Sequence, residues 1–264
     1  MLVVLTQNAK EVGQEAARIV ASAVRANPSV VLGLATGSTP LGMYEELIAL
    51  HRSSDLDFSE ATSFNLDEYL GLAPDNPQSF HYFMHSNFFS QVNFSPKKIH
   101  IPDGALRSNY SEYCESYENE VKKAGGIDLQ ILGIGRNGHI GFNEPNSSLA
   151  SRTRLKELTQ ETIEDNRRFF PKGEEIPECA ITMGIGTILD ARRILILATG
   201  KSKASAVAKA IEGPISSSVS ASALQLHPDV TFIIDEDAAY ALTQRDYYRR
   251  VLELTKKYTP EKLA

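Results

Sequence analysis

The sequence has little of what marks secreted, membrane-bound or nucleic-acid-binding proteins. Its 264 residues include only two cysteines, Cys114 and Cys179, whose spacing fits neither a CxxC redox pair nor a zinc site. No apolar run approaches the length of a transmembrane helix. Acidic and basic residues are interspersed without a basic block, and the net charge is −6. We therefore expect no nucleic-acid partner, no membrane partner and a reducing, cytoplasmic compartment.

The start of the chain also lacks the features of a targeting signal. Residues 1–7 contain no cationic leader and no long apolar region, and we expect them to form the first strand. The apolar fraction of 42% and the charged fraction of 23% are close to globular averages. No repeat, low-complexity linker or shift in composition divides the chain. We predict one domain that spans residues 1–264.

Strand-like and helix-like segments alternate along most of the chain. Short apolar runs predict strands, and apolar residues at helical spacing predict helices. Strands are predicted at residues 2–5, 29–35, 61–66, 98–101, 127–134, 179–183, 194–198 and 230–234. Helices are predicted at residues 8–25, 40–50, 79–91, 109–123, 160–170, 202–211 and 247–257. This alternation predicts an α/β fold with a doubly wound, mostly parallel, Rossmann-like sheet and helices on both faces.

Residues 146–177 interrupt this alternation. The segment is polar and rich in charges, and its one helix-like part is residues 160–170. Long excursions between strands are usually functional. We predict that the segment forms a lid over a binding site.

The most informative stretch runs from Asp128 to Pro145, where an apolar strand ends in a loop with four glycines. That loop carries an amide, an imidazole and a carboxylate at Asn137, His139 and Glu144. Open α/β sheets bind ligands at the carboxyl ends of their strands, and histidine is the natural proton carrier near neutral pH. We interpret the loop as catalytic, with Asn137 and Glu144 orienting His139 or polarising a substrate. The alternative is a tight turn in which His139 caps a helix.

Two further strand ends carry polar groups. One is formed by Thr36, Gly37, Ser38 and Thr39. It joins a strand to a helix, where backbone N–H groups favour an anion, although an ordinary helix cap would have the same residues. The other is Asp67-Glu68, after the third strand. Because adjacent residues on an extended chain face opposite ways, we expect one carboxylate to be a general base and its neighbour a structural partner, unless the pair is a solvated turn.

Arg168 and Lys203 are candidate phosphate ligands. Arg168 ends the predicted lid helix. Lys203 stands at the start of a helix, where the macrodipole disfavours a cation unless an anion is bound. Together with Thr39 they indicate a phosphate site. Further positive charge near the glycine-rich loop comes from Arg136, Arg152, Arg154 and Lys156. Either cation could instead be a solvated surface residue.

Five segments form a specific set, although each is weak alone. They are Ala-Thr-Gly-Ser-Thr-Pro at 35–40, Phe-Asn-Leu-Asp-Glu-Tyr at 64–69, Gly-Ile-Gly-Arg-Asn-Gly-His-Ile-Gly-Phe-Asn-Glu-Pro at 133–145, Ser-Leu-Ala-Ser-Arg-Thr-Arg at 148–154 and Leu-Gln-Leu-His-Pro at 224–228. In all five the chain resembles the glucosamine-6-phosphate deaminase family. The resemblance implies an aldose–ketose isomerisation coupled to loss of ammonia, from D-glucosamine 6-phosphate to D-fructose 6-phosphate, without a metal or other cofactor.

The resemblance also assigns roles by motif position. It implies that Asp67 moves a proton between C2 and C1 through a cis-enolamine, and that His139 opens the pyranose ring with Asn137 and Glu144 as partners. Some family members have Asp at position 137, and Asn137 would fix the tautomer of His139 without adding charge. The implied phosphate ligands are Thr36, Gly37, Ser38, Thr39, Arg168 and Lys203.

Two other functions stay open on sequence alone. A 6-phosphogluconolactonase is similar in fold and also binds a sugar phosphate, but lactone hydrolysis does not need Asp67 over C2. A sugar-phosphate-sensing regulator should carry a DNA-binding helix-turn-helix, and no spare segment of this chain can hold one. A homo-oligomer is compatible with the sequence.

The resemblance extends to regulation. Some relatives are hexamers that are activated by N-acetylglucosamine 6-phosphate at a subunit interface. Ser147, Arg154 and Lys156 resemble part of that effector site, but Glu157 stands where the regulated members have Thr, and the C-terminal tyrosine of the site aligns only with a shift. A carboxylate at this position would repel the effector phosphate. We expect weak or absent activation.

Overall fold

The computed structural model of the chain describes residues 1–260. The strands of the described part are β1 (Leu2–Thr6), β2 (Val31–Leu34), β3 (Thr62–Asn65), β4 (Asp67–Tyr69), β5 (Ile99–His100), β6 (Leu129–Gly133), β7 (Arg154–Glu157), β8 (Cys179–Thr182), β9 (Arg193–Ala198) and β10 (Val230–Asp235). Seven of them form a sheet in the order β1-β10-β9-β6-β2-β3-β5, and every neighbouring pair is parallel. The prediction of a mostly parallel α/β sheet is confirmed.

The strand order shows that this sheet is doubly wound. From β2 the chain proceeds through β3 to β5 at one edge, whereas from β6 it proceeds through β9 and β10 toward the other edge. Right-handed crossovers in opposite directions place helices on both faces of a parallel sheet. The direction reverses between β2 and β6, which pair directly, Leu32 opposite Leu129. In open α/β sheets, the loops at the carboxyl ends of two such strands diverge at the point of reversal and form a crevice between them.

The helices follow from apolar residues at helical spacing. They are α1 (Ala9–Ala26), α2 (Leu41–Arg52), α3 (Phe80–Asn87), α4 (Tyr110–Lys123), α5 (Gln160–Asn166), α6 (Ile185–Leu189), α7 (Ala204–Ile211) and α8 (Arg245–Tyr258). In α1, the side chain of Asn8 caps the first turn by accepting the Glu11 N–H at 3.1 Å. Gly13 lets α2 approach closely, since a Cβ at that position would lie 2.8 Å from the carbonyl carbon of Gly42. No helix within residues 1–260 is long and apolar enough to cross a membrane.

A second sheet stands beside the first, which the sequence pattern does not predict. Its strands are antiparallel, in the order β4-β8-β7. The strand predicted at residues 179–183 therefore exists as β8, but it belongs to this small sheet and not to the parallel one. Its register aligns Asp67 and Arg154 with Thr182 on either side.

Part of the segment predicted as a lid is built into this second sheet. Residues 154–157 form β7, and the residues before them are held by α4, because the buried Glu118 accepts the Thr153 N–H at 2.9 Å. The remainder, residues 158–177, includes α5 and the 3-10 turn Arg167–Phe169. It packs a small second core that also contains Tyr69 and Phe142. The main core lies between the parallel sheet and its helices.

Candidate active site

The predicted site residues converge on the carboxyl edge of the parallel sheet, around the crevice between β2 and β6. Residues 36–39 follow β2, and Asp67 follows β3. Residues 137–144 follow β6, and Lys203 follows β9. Since β9, β6, β2 and β3 are consecutive strands of the sheet, their loops meet at one place. Arg168 lies in the turn after α5, within residues 158–177. This covering segment contacts the loop after β6, where Thr159 bonds Glu144.

His139 and Glu144 form the centre of the loop after β6. The His139 imidazole lies against the Gly135 backbone, where a Cβ would come within 2.5 Å of Nε2, so only glycine fits there. His139 Nδ1 lies 3.5 Å from Glu144 Oε2, and the two side chains are 19% and 2% exposed. Among residues 1–260, Nδ1 has no hydrogen-bond partner at normal length. The carboxylate is thus placed to stabilise the protonated ring.

Glu144 is held in its charged form. Burial opposes ionisation, but His139, Thr162 and Thr159 outweigh that effect and lower the pKa of this carboxyl to about 2. Thr159, just before α5, donates both its N–H and its hydroxyl to Glu144 Oε1 at 3.2 Å. The carboxylate therefore links the loop after β6 to the covering segment.

Asn137 does not hold the imidazole as expected. Its Oδ1 accepts the backbone N–H of His139 at 3.1 Å, and its Nδ2 donates to Glu144 Oε2 at 3.3 Å. The reason is local, because an asparagine side chain readily bonds the backbone two residues ahead. Asn137 shapes the turn and orients Glu144. Of these two side chains, only Glu144 lies near the His139 ring nitrogen.

The two adjacent carboxylates after β3 face opposite ways, as the extended geometry predicts. Glu68 accepts the N–H groups of Tyr69, Phe80 and His81, each at 2.8 Å, and thereby fastens the start of α3. Asp67 turns toward the loop after β6, where its Oδ2 lies 3.5 Å from the position of a Cβ on Gly141. Burial, and then the charge of Glu68, raise the pKa of Asp67 to about 8. A carboxyl with this pKa can exchange a proton near neutral pH.

The proposed anion ligands lie at the same edge but are more exposed. Gly37 has a φ of +95°, which bends the chain between β2 and α2. Lys203 stands at the N-terminus of α7, in the 3-10 turn Lys201–Lys203. Burial, and then the charges of Arg168 and Arg136, lower the pKa of Lys203, whereas Asp165 opposes this shift. Three cations therefore share one neighbourhood.

Buried polar residues that the sequence did not single out hold the loop in place. Ser220 is 1% exposed; its hydroxyl accepts the Ile140 N–H at 3.2 Å and donates to the Asn143 carbonyl at 2.8 Å. Thr182 accepts the Phe142 N–H at 3.0 Å. Asn143 also fastens the loop, because its Nδ2 donates to the Met183 carbonyl at 2.8 Å. Its position inside the motif at 133–145 is a sequence signal that could have identified it. Ser220 stands in a serine-rich stretch far along the chain, and nothing in its local sequence points to the loop.

Comparison of the sequence with known proteins finds matches over most of the chain. Residues 5–232 match the model of the family described as glucosamine-6-phosphate isomerases/6-phosphogluconolactonase. A glucosamine-6-phosphate deaminase from Thermoanaerobacter pseudethanolicus is 52% identical over 246 residues, which cover 93% of this chain and 97% of that protein.

Solved structures give the same result. A monomeric glucosamine-6-phosphate deaminase superposes with a TM-score of 0.89 at 48% identity, covering 91% of this chain and 100% of that one. The 6-phosphogluconolactonase from Leishmania guyanensis gives a TM-score of 0.71 at 21% identity, covering 90% and 97%, which shows a shared fold and no more. The chain belongs to the family of glucosamine-6-phosphate isomerases and 6-phosphogluconolactonases.

Proposed function

We propose that this protein is a glucosamine-6-phosphate deaminase, an enzyme that converts D-glucosamine 6-phosphate and water to D-fructose 6-phosphate and ammonia. The observation that carries the proposal is the 52% identity to a deaminase over nearly the whole chain. The similarity to a lactonase is 21% and concerns the fold. The identity to the deaminase and the buried carboxyl of Asp67 both favour proton transfer at carbon over lactone hydrolysis.

In the first step, His139 opens the pyranose ring. The ring oxygen must gain a proton while the C1 hydroxyl loses one, and an imidazole can do both in turn. Glu144, whose pKa is lowered to about 2, is ionised near neutral pH and stabilises the imidazolium, whose Nδ1 lies 3.5 Å from Glu144 Oε2. Because Glu144 faces Nδ1, we assign the proton exchange with the sugar to Nε2.

In the second step, Asp67 moves a proton between C2 and C1 through a cis-enolamine. A raised pKa makes a carboxylate a stronger base toward a carbon acid, provided that it is ionised when the substrate is bound. The ammonium group at C2 of the substrate favours the ionised form, since an opposite charge nearby lowers the pKa of a carboxyl. Substrate binding thus activates the base that it needs. Hydrolysis of the resulting imine at C2 releases ammonia.

The phosphate of the substrate would lie at the outer rim of the crevice. The ligands that we assign to it are Thr36, Gly37, Ser38, Thr39, Arg168 and Lys203. Backbone N–H groups and a helix N-terminus favour an anion there, and the anion relieves the conflict between the Lys203 charge and the α7 dipole. Charge-assisted contacts of this kind contribute about 1.5–3 kcal/mol each. Residues 158–177 would act as the lid, bringing in Arg168 and excluding water.

The setting of the enzyme is part of the proposal. Cys114 and Cys179 are both free thiols, which suits a reducing cytoplasm. The proposed steps are proton transfers, followed by addition of water to the imine and expulsion of ammonia, and they assign no role to a metal or cofactor. A homo-oligomer is compatible with the fold, although the solved relative described above is monomeric.

A single assay tests the proposal. Purified protein is incubated with D-glucosamine 6-phosphate alone, and the ammonia and fructose 6-phosphate that form are measured. We expect equal amounts of the two products. Hydrolysis of 6-phosphogluconolactone without ammonia release from the amino sugar would establish the lactonase instead. Glucosamine without its phosphate should be a very poor substrate. If Lys203→Ala and Arg168→Ala both leave KM unchanged, the phosphate binds elsewhere.

A further inference from the structure

A short ion pair joins the catalytic loop to the covering segment. Arg136 Nη1 lies 2.7 Å from Asp165 Oδ1. Arg136 immediately precedes Asn137, and Asp165 lies near the end of α5. The Arg136 side chain is 57% exposed and that of Asp165 is 32% exposed, so neither is fixed by burial. An exposed pair of this kind adds little to stability. Its position is therefore more informative than its strength.

The pair lies beside the proposed phosphate ligands. Strands β6 and β9 are paired, Gly133 opposite Leu197, so the loops that carry Arg136 and Lys203 leave the sheet side by side. Asp165 and Arg168 are three residues apart across the end of α5, which puts their side chains on neighbouring positions of one face. The charges of Asp165, Arg168 and Arg136 all act on Lys203.

The charges in this cluster do not balance. Arg136 and Lys203 contribute two positive charges, which Asp165 with its single negative charge cannot neutralise. A phosphate monoester carries close to two negative charges at pH 7. It also offers three oxygens, whereas the Asp165 carboxylate offers two. The cluster therefore suits a phosphate better than it suits its own carboxylate.

We propose that Arg136 is a further phosphate-binding residue and that Asp165 is an internal anion which holds Arg136 until the substrate phosphate displaces it. The proposal rests on the proposed function for the identity of the phosphate ester, but not for the binding of phosphate itself. Asp165 keeps the guanidinium at the mouth of the crevice and reduces repulsion among three cations. It also competes with the incoming ligand. The two residues of one ion pair thus have opposite effects on phosphate affinity.

That opposition gives a test that does not depend on turnover. The dissociation constant of inorganic phosphate is measured by calorimetry for the full chain and for Arg136→Gln and Asp165→Asn. Arg136→Gln should weaken binding by about tenfold or more, the value of one charge-assisted contact. Asp165→Asn should strengthen it by about threefold or more, because a competing anion is removed. Arg136→Lys should recover part of the loss, since it keeps the charge without the planar fork.

Each control substitution removes one charge of the same sign as the substitution it is compared with. Glu164→Gln and Lys172→Gln change exposed residues of the covering segment and should leave phosphate affinity within about twofold. Weaker phosphate binding in both Arg136→Gln and Asp165→Asn would overturn the proposal. It would show instead that the ion pair holds α5 in place. Unchanged binding in either variant would overturn it as well. If ammonia release were absent while phosphate affinity changed as expected, the proposed activity would fail and this inference would stand.

Discussion

At the scale of single residues, Asp67 is the side chain on which the proposed chemistry depends most. Asp67→Asn keeps its size but cannot accept a proton, so we expect turnover to fall by about 10²–10⁴-fold with little change in KM. Steady-state kinetics on D-glucosamine 6-phosphate measure both parameters. Glu157→Gln, which removes an exposed carboxylate from β7, is the control and should keep near-normal turnover. Near-normal turnover in Asp67→Asn would exclude it as the base.

The same substitution should make the protein more stable. The pKa of Asp67 is about 8 in the folded protein against an ordinary value of 3.8, so the folded state binds more protons than the unfolded state between these values. The free energy of unfolding due to this group is therefore fully present below about pH 4 and decreases as pH rises to about 8. Asp67→Asn removes this decrease.

Urea unfolding at pH 5 and pH 8.5 checks the prediction. The stability gained by Asp67→Asn over the unmodified chain should be larger at pH 8.5 than at pH 5. Asp246→Asn, whose side chain is fully exposed, controls for the loss of one carboxylate. An equal effect of Asp67→Asn at both pH values would show that its carboxyl is not perturbed by burial.

His139 should act before Asp67 in the reaction. His139→Gln removes the proton carrier but keeps a polar side chain, so ring opening is the step that we expect to suffer. The variant should lose more activity on the cyclic substrate than on an open-chain analogue. Comparison of kcat/KM for the two substrates measures the difference. Equal losses would assign His139 to a later step or to support of the loop.

Local spacing decides how much of the site could be predicted at this scale. Asn137, His139 and Glu144 lie within eight residues, so one motif predicts their proximity. The opposite directions of Asp67 and Glu68 follow from the geometry of an extended chain. The contact of Ser220 with the loop spans 77 residues to Asn143, and no local pattern encodes it. Asn137 Oδ1 accepts the His139 backbone N–H and not a ring N–H. This choice depends on the conformation of the turn, which the sequence does not specify.

At the scale of elements, apolar strands are the part that the sequence predicts well. Several strands of the parallel sheet are buried on both faces and contain continuous apolar runs, such as residues 194–198 of β9. By contrast, β7 reads Arg-Leu-Lys-Glu and β4 reads Asp-Glu-Tyr. Both strands are stabilised by pairing with β8. Short charged segments of this kind carry no strand signal of their own. For the same reason the sequence pattern did not predict β7 inside residues 146–177, and the lid itself stays a prediction.

The division of residues 146–177 leads to a prediction about motion. Strand β7 is paired to β8, so its amides should exchange slowly with or without ligand. Helix α5 is seven residues long and packs through the small second core, and its amides should exchange faster in the free protein. Adding fructose 6-phosphate should slow exchange in residues 158–170 and leave β7 unchanged. Identical exchange of α5 in both states would indicate a fixed wall.

At the scale of the whole molecule, the strand order assembles the site. Loops from β9, β6, β2 and β3 lie far apart in the sequence, with Thr36 and Lys203 separated by 167 of the 264 residues, yet the reversal of winding brings them to one crevice. The sequence predicts a doubly wound sheet, but the order of its strands is not contained in any single segment. Periodicity alone therefore does not predict which loops form the site, whereas the resemblance to a family does.

Regulation is also a property of the whole molecule. The cations that resemble an effector site already have partners within the chain. Arg154 Nη1 donates to Asn143 Oδ1 at 3.0 Å, and Lys156 Nζ lies 3.1 Å from Glu157 Oε2. An effector phosphate would have to displace both acceptors and approach the exposed carboxylate of Glu157, which repels it. Activation needs two states with different affinity for the effector, and these contacts weaken binding in either state.

We therefore expect hyperbolic kinetics that N-acetylglucosamine 6-phosphate does not change. Initial rates are measured against D-glucosamine 6-phosphate with and without a saturating concentration of the acetylated sugar phosphate, and light scattering gives the state of association under the same conditions. Glu157→Thr removes the repelling charge and should be the variant in which any weak effector binding becomes measurable, because Lys156 then loses its partner. Sigmoidal kinetics in the unmodified chain that become hyperbolic with the effector would show that Arg154 and Lys156 bind it despite Glu157.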